Sequence, residues 1–520
     1  MKRTMMAAFA ALVLAAPALA SPGPRVTVAQ GALEGVTQYD VQSFKGVPFA
    51  APPVGPLRWR APQQAASWKN IRTADHFAPD CLQEAAAFDD APLAVKPSED
   101  CLYLNVWRPT PKDGQVPAKL PVMVWIYGGG MVSGGTSPAI YDGTAFAHDG
   151  LVFVSMNYRV GRFGYFAFPE LTKEDADHGL LGNYGLMDQI AALKWIKANI
   201  AAFGGDPDNI TIFGESAGGM AVNTLLTSPL SQGLFNRAII QSGGGRGGLM
   251  GSNTIAASEK LGVNFAKANG IPGMDKKALA ALRALPADTI TGNLGLATSS
   301  RQKDTYGGPI LDGKLLVETA DLAYAAGHNA KVPVMVGANS ADIGSMDGDS
   351  KDALFAQTAD PAAAKAAYDP DGTAPIDQVR AQMGMDKVML EPARLIASLL
   401  SAQGVKTYEY RYGYTASQKR PQSPYGAPHA SELPFVFGTI SARYGALATP
   451  QDYDASKVMH GYWVNFARTG DPNGAGLPAW PAYDKASDWI MFIAPDATAV
   501  PEADPWKARF DANAAGKAPQ

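Results

Sequence analysis

The segment of this chain best suited to covalent chemistry is Gly214-Glu215-Ser216-Ala217-Gly218. A β-branched run, Ile210–Gly214, leads into it. A helical pattern containing Val222, Leu225 and Leu226 leads out of it and stops near Pro229. A tight strand-to-helix turn strains its central residue and lifts that side chain clear of the sheet. Glycines flank it because a Cβ there would collide with neighbouring elements. The helix N-terminus that follows favours negative charge developing close by. These are the needs of a serine that attacks an acyl carbonyl. Five residues of this kind also arise by chance, so the flanking strand and helix carry the reading. A serine hydroxyl is a poor nucleophile without a base and a carboxylate behind it. Only six histidines can supply the base: His76, His148, His178, His328, His429 and His460.

The elements that must position such a site are legible in outline. Short apolar runs at Leu120–Tyr127, Leu151–Tyr158, Ile210–Gly214, Ala238–Gln241 and Val332–Gly337 have the composition of strands buried on both faces. The clearest helical pattern spans Gly185–Phe203 and ends at Gly204-Gly205, where a left-handed cap fits. Strand alternating with helix predicts an α/β fold with a mostly parallel central sheet and helices on both faces. Such folds place chemistry at the carboxyl ends of strands. The stretches from Gly244 to Gly327 and from Ser340 to Thr373 are less regular and are read as elaborations above the sheet that form a substrate gorge.

The whole stretch from Phe203 through Gly204-Gly205-Asp206-Pro207-Asp208-Asn209 to Gly218 resembles the serine-site signature of type-B carboxylesterases. This is the carboxylesterase/cholinesterase family of α/β-hydrolases, including its bacterial para-nitrobenzyl-esterase-like members. Glu99-Asp100-Cys101-Leu102-Tyr103-Leu104-Asn105-Val106 resembles a second signature of that family. Phe44–Phe49, Asn157-Tyr158-Arg159, Gly182–Gln189 and Asn465–Asn473 extend the likeness over nearly the whole chain. The resemblance implies the α/β-hydrolase fold and a serine carboxylic ester hydrolase working through a covalent acyl-enzyme.

It also implies roles. Gly426-Ala427-Pro428-His429-Ala430-Ser431-Glu432 is similar to the family's catalytic-histidine loop, which makes His429 the base. The family usually carries Asp-Glu-Gly where this chain has Ser340-Ala341-Asp342-Ile343-Gly344. Counting from Gly337 puts Asp342 at the glutamate's place, with Asp347 and Asp349 as alternatives. Gly128-Gly129-Gly130-Met131 resembles the oxyanion loop, so Gly129 and Gly130 would donate together with the N–H of Ala217. Met131 replaces the usual aromatic and would soften the pocket wall. Cys81 and Cys101 match the family's first disulfide, and an even pair in an exported chain suits a bridge. Phe88 is the only aromatic between them, which disfavours choline esters, since a cationic headgroup needs an aromatic face. Arg246, in Ser242-Gly243-Gly244-Gly245-Arg246, is a candidate reader of a substrate carboxylate, with a surface arginine as the plainer alternative.

Residues 1–20 have the three parts of a secretory signal peptide: Lys2-Arg3, an apolar run, and Ala18-Leu19-Ala20 before a cleavage point. The remainder, 21–520, is read as a single domain, exported to the periplasm or beyond. With a formal charge of −4 and no basic blocks, nucleic acid and stable membrane insertion are not expected. No metal or organic cofactor is expected, and the partner is a small-molecule ester. Two rival readings are a hydrolase selective for carboxylate-bearing esters and a non-catalytic binding protein of the same fold.

Overall fold

The computed structural model describes residues 23–84, 90–112, 115–247 and 253–514. The signal-peptide reading for residues 1–20 and the position of Phe88 lie outside the described residues.

An eleven-stranded sheet organises the fold. Across it the strands run Ala499–Ala503, Trp489–Ile493, Thr407–Tyr412, Val334–Asn339, Arg237–Gln241, Gly205–Glu215, Leu120–Ile126, Val152–Met156, Tyr103–Pro109, Val41–Pro48 and Val36–Gln38. From Trp489–Ile493 through Val152–Met156 every pairing is parallel, and the pairs at both edges are antiparallel. Val122 through Ile126 are fully buried, as are Val334, Met335 and Val336, which is why these strands read as unbroken apolar runs. The helices Tyr184–Asn199, Ala217–Thr227, Glu391–Ala402 and Pro450–Thr469 pack against this sheet. The Tyr184 helix tightens into a 3-10 turn, Ile200–Phe203, and ends on Gly204 in the left-handed region, as its sequence requires.

The two irregular stretches are more helical than their sequence suggests. They hold Ile255–Ala268, Lys276–Arg283 and Ala320–Ala326 in one, and Lys351–Phe355 and Pro361–Tyr368 in the other. Gly262 sits mid-helix because a Cβ there would lie 1.9 Å from the Ala167 carbonyl oxygen, so the glycine permits close packing rather than a break.

Candidate active site

Five neighbouring parallel strands deliver the site residues at their carboxyl ends. The glycine loop follows Leu120–Ile126, Ser216 follows Gly205–Glu215, Ser242 follows Arg237–Gln241, and Asp342 follows Val334–Asn339. His429 stands on the longer loop after Thr407–Tyr412.

Ser216 has φ 56° and ψ −124°, a strained conformation for a residue with a side chain, and it caps the helix Ala217–Thr227. Its N–H donates to the Gln241 carbonyl at 2.9 Å, which ties the turn to the next strand. Gly218 is compulsory: a Cβ there would stand 2.0 Å from the Ile126 carbonyl oxygen. Gly129 and Gly130 adopt φ 109° and 62°, and Ala217 opens the helix. These glycines, Ala217, Ser216, His429 and Met131 line one cavity of about 840 Å³. Leu296, Ser299, Ser300, Lys303 and Tyr306 form part of its wall, contributed by one of the irregular stretches.

His429 Nδ1 lies 2.5 Å from Asp342 Oδ1. Asp342 is buried, and its other oxygen accepts from Ser242 Oγ at 2.6 Å and from the Asn339 N–H at 3.0 Å. Asp347 and Asp349 are exposed on the loop beyond. The histidine loop is fastened to the acid loop through the Ala341 N–H and the Ala427 carbonyl, 2.9 Å apart. Behind it, buried Glu432 accepts from Gln241 and Asn339 at 2.9 and 2.7 Å, and Asn339 also donates to the Pro428 carbonyl at 2.6 Å. Burial pushes the Glu432 carboxyl up, against those hydrogen bonds.

His429 Nε2 faces a second carboxylate, Glu215 Oε1, at 3.1 Å. Burial opposes charge on the imidazole, but Glu215 and Asp342 outweigh it and push His429 up to about 10. A group raised in this way stabilises the fold fully below its unfolded value near 6.5. That contribution is lost as pH rises toward about 10. Glu215, Ser242, Glu432 and Asn339 were not singled out by sequence reasoning. Their only signal was adjacency: Glu215 beside the serine and Glu432 three residues past His429.

Arg246 is not brought to the cavity. It forms a bidentate ion pair with Glu391, both contacts at 2.5 Å, beside a separate small pocket. A guanidinium already paired with a partner 145 residues away is not free to read a substrate carboxylate, and that expectation is corrected. Met131 does line the cavity, with its sulfur accepting from Tyr165 Oη at 3.1 Å. Cys81 and Cys101 are bonded, as expected. Asp80, next to that bridge, accepts from the N–H groups of Thr136 and Ser137 and so anchors the chain after the glycine loop. His460 is held by the Val436 carbonyl and Asp149, away from the serine.

The sequence profile of the carboxylesterase family matches residues 22–359 and 362–509. The chain belongs to the carboxylesterase family. It is 38% identical over 489 residues to a fumonisin B1 esterase of Sphingopyxis macrogoltabida, covering 89% of this chain and 85% of that one. It is 34% identical over 496 residues to carboxylesterase 1C of Mus musculus, covering 88% and 86%. A solved structure of a PNB esterase superposes with a TM-score of 0.78 at 31% identity, covering 94% of this chain and 99% of that one. The carboxylesterase described here thus has the α/β-hydrolase fold and is a carboxylic ester hydrolase. Among the described residues, no helix is long and apolar enough to cross a membrane.

Proposed function

We propose that this carboxylesterase hydrolyses small carboxylic esters through a covalent intermediate on Ser216, with His429 as base and Asp342 as the acid of a Ser-His-Asp triad. The observation that carries the reading is the short contact between His429 Nδ1 and buried Asp342, in the cavity wall that also holds the strained Ser216.

In the first step Ser216 Oγ bonds to the ester carbonyl carbon while His429, in its neutral form, takes the hydroxyl proton at Nε2, the nitrogen that faces Glu215. Asp342 holds the Nδ1 proton, fixes the tautomer and stabilises the imidazolium. The carbonyl electrons move onto oxygen, where the N–H groups of Gly129, Gly130 and Ala217 receive the charge, each worth about 3 kcal/mol. The tetrahedral species collapses, the C–O bond to the alcohol breaks, and His429 protonates that alcohol. Water then adds to the acyl carbon, giving its proton to His429, and Ser216 leaves with that proton to release the acid. Every proton taken is returned, so the cycle closes without a further reactant.

Met131, Leu296 and Leu433 make the cavity largely apolar, which favours an acyl group of small to medium length. The non-catalytic alternative is disfavoured because serine, histidine, buried acid and glycine loop are all present. Export is part of the proposal, supported by the N-terminal pattern of residues 1–20 and by the Cys81–Cys101 bridge. The test is p-nitrophenyl butyrate hydrolysis by the Ser216→Ala variant. A loss of on the order of 10⁴-fold or more in kcat is expected, and a variant as active as the parent would refute the mechanism.

A further inference from the structure

Gly129, Gly130 and Met131 all have positive φ, at 109°, 62° and 61°, and the last of them carries a side chain. A run of left-handed residues does not hold its shape by propensity and must be clamped at both ends. The front clamp is local: the Gly129 carbonyl accepts from the N–H groups of Val132 and Ser133 at 3.1 and 3.0 Å. The rear clamp is the Met131 carbonyl, which accepts from the Gly161 N–H at 2.7 Å and from Tyr306 Oη at 3.2 Å. Gly161 belongs to the scaffold just past the strand Val152–Met156, but Tyr306 reaches in from the irregular stretch, 175 residues away in sequence.

We propose that Tyr306 is a positioning residue for the oxyanion loop, its hydroxyl fixing the Met131 carbonyl so that the glycine N–H groups meet the developing oxyanion. This rests on the Ser216 mechanism proposed above. Burial holds the Tyr306 phenol above the ordinary tyrosine range, so it remains a donor throughout the working pH range. Its bond to the Met131 carbonyl spans 3.2 Å and tethers the residue directly after the two donor glycines. Leu296, Ser299, Ser300 and Lys303, from the same stretch, line the cavity beside Tyr306. The wall that meets the substrate is therefore also the rear clamp of the loop.

The test is Tyr306→Phe in the full chain, which keeps the ring and removes only the hydroxyl. Active sites are counted with a fluorophosphonate, so that misfolded protein does not enter the rate. Hydrolysis of p-nitrophenyl butyrate and the Ki of a trifluoromethyl ketone, which mimics the tetrahedral species, are then measured. The expected result is a fall of about tenfold in kcat per titrated site, with KM within about twofold of the parent and Ki weakened by the same factor as kcat. A kcat and Ki within about twofold of the parent would overturn the proposal, as would a change confined to KM or to the number of titratable sites. Parent activity that survives Ser216→Ala would instead remove the mechanism beneath it.

Discussion

Ser216 and the glycine loop sit at the ends of two strands that pair directly, Gly205–Glu215 and Leu120–Ile126. Their placement comes from backbone: a strained φ, a glycine pressed against the Ile126 carbonyl, and an N–H bonded to Gln241. Asp342 and His429 lie 87 residues apart on two loops, and side chains join main-chain bonds in placing them: Ser242 and the Asn339 N–H on the acid, the Ala341–Ala427 bond between the loops, and Asn339 and Glu432 behind the histidine loop. The contrast teaches that one half of this site is built into neighbouring strands and their turn, whereas the other is assembled by contacts between loops distant in sequence.

The largest effect should come from attacking the backbone-held half. Gly218→Ala forces a Cβ to within 2.0 Å of a main-chain oxygen, and main chain in a central strand cannot move aside. A loss of more than about 3 kcal/mol of stability is expected in denaturant melts. A variant with the parent's melting point would show that the turn is looser than described. Next comes Asp342→Asn, which should fold but lose about 10⁴-fold in kcat. An amide donating to Nδ1 leaves the proton on Nε2, where His429 cannot accept one from Ser216. Unfolding together with inactivation would erase the distinction between the two halves. The smallest effect is expected of Glu215→Gln. Removing that carboxylate takes away one of the three charges, Glu215, Asp342 and Glu432, that raise His429, so the acid limb of kcat/KM should move to lower pH from a parent value above 6.5. A limb that stays in place would mean Glu215 does not influence the imidazole.

The same division explains what the sequence reveals. The strand, turn and helix around Ser216 are contiguous, so glycine spacing and apolar periodicity describe them before any coordinates exist. Asp342 could be reached only by counting along a loop, because its credentials are burial and a histidine 87 residues on. Arg246 is undecided in sequence for the mirror-image reason: a cation in a glycine loop suits a ligand or a plain surface charge, and its partner, Glu391, is far along the chain. The helix Ile255–Ala268 lies in a stretch whose sequence reads as irregular, and its mid-helix Gly262 answers to close packing against the Ala167 carbonyl, a contact between residues far apart in the chain. Tyr306 gives no local signal either, since its partner is a main-chain carbonyl.

The central claim is that Ser216 is the residue acylated in turnover. Trapping with a fluorophosphonate followed by peptide mass spectrometry tests it most directly. One adduct per chain on the peptide containing Ser216, formed at a rate that collapses in Asp342→Asn, is the predicted result. An adduct on another serine, or labelling of Ser216 at an unchanged rate in that variant, would contradict it.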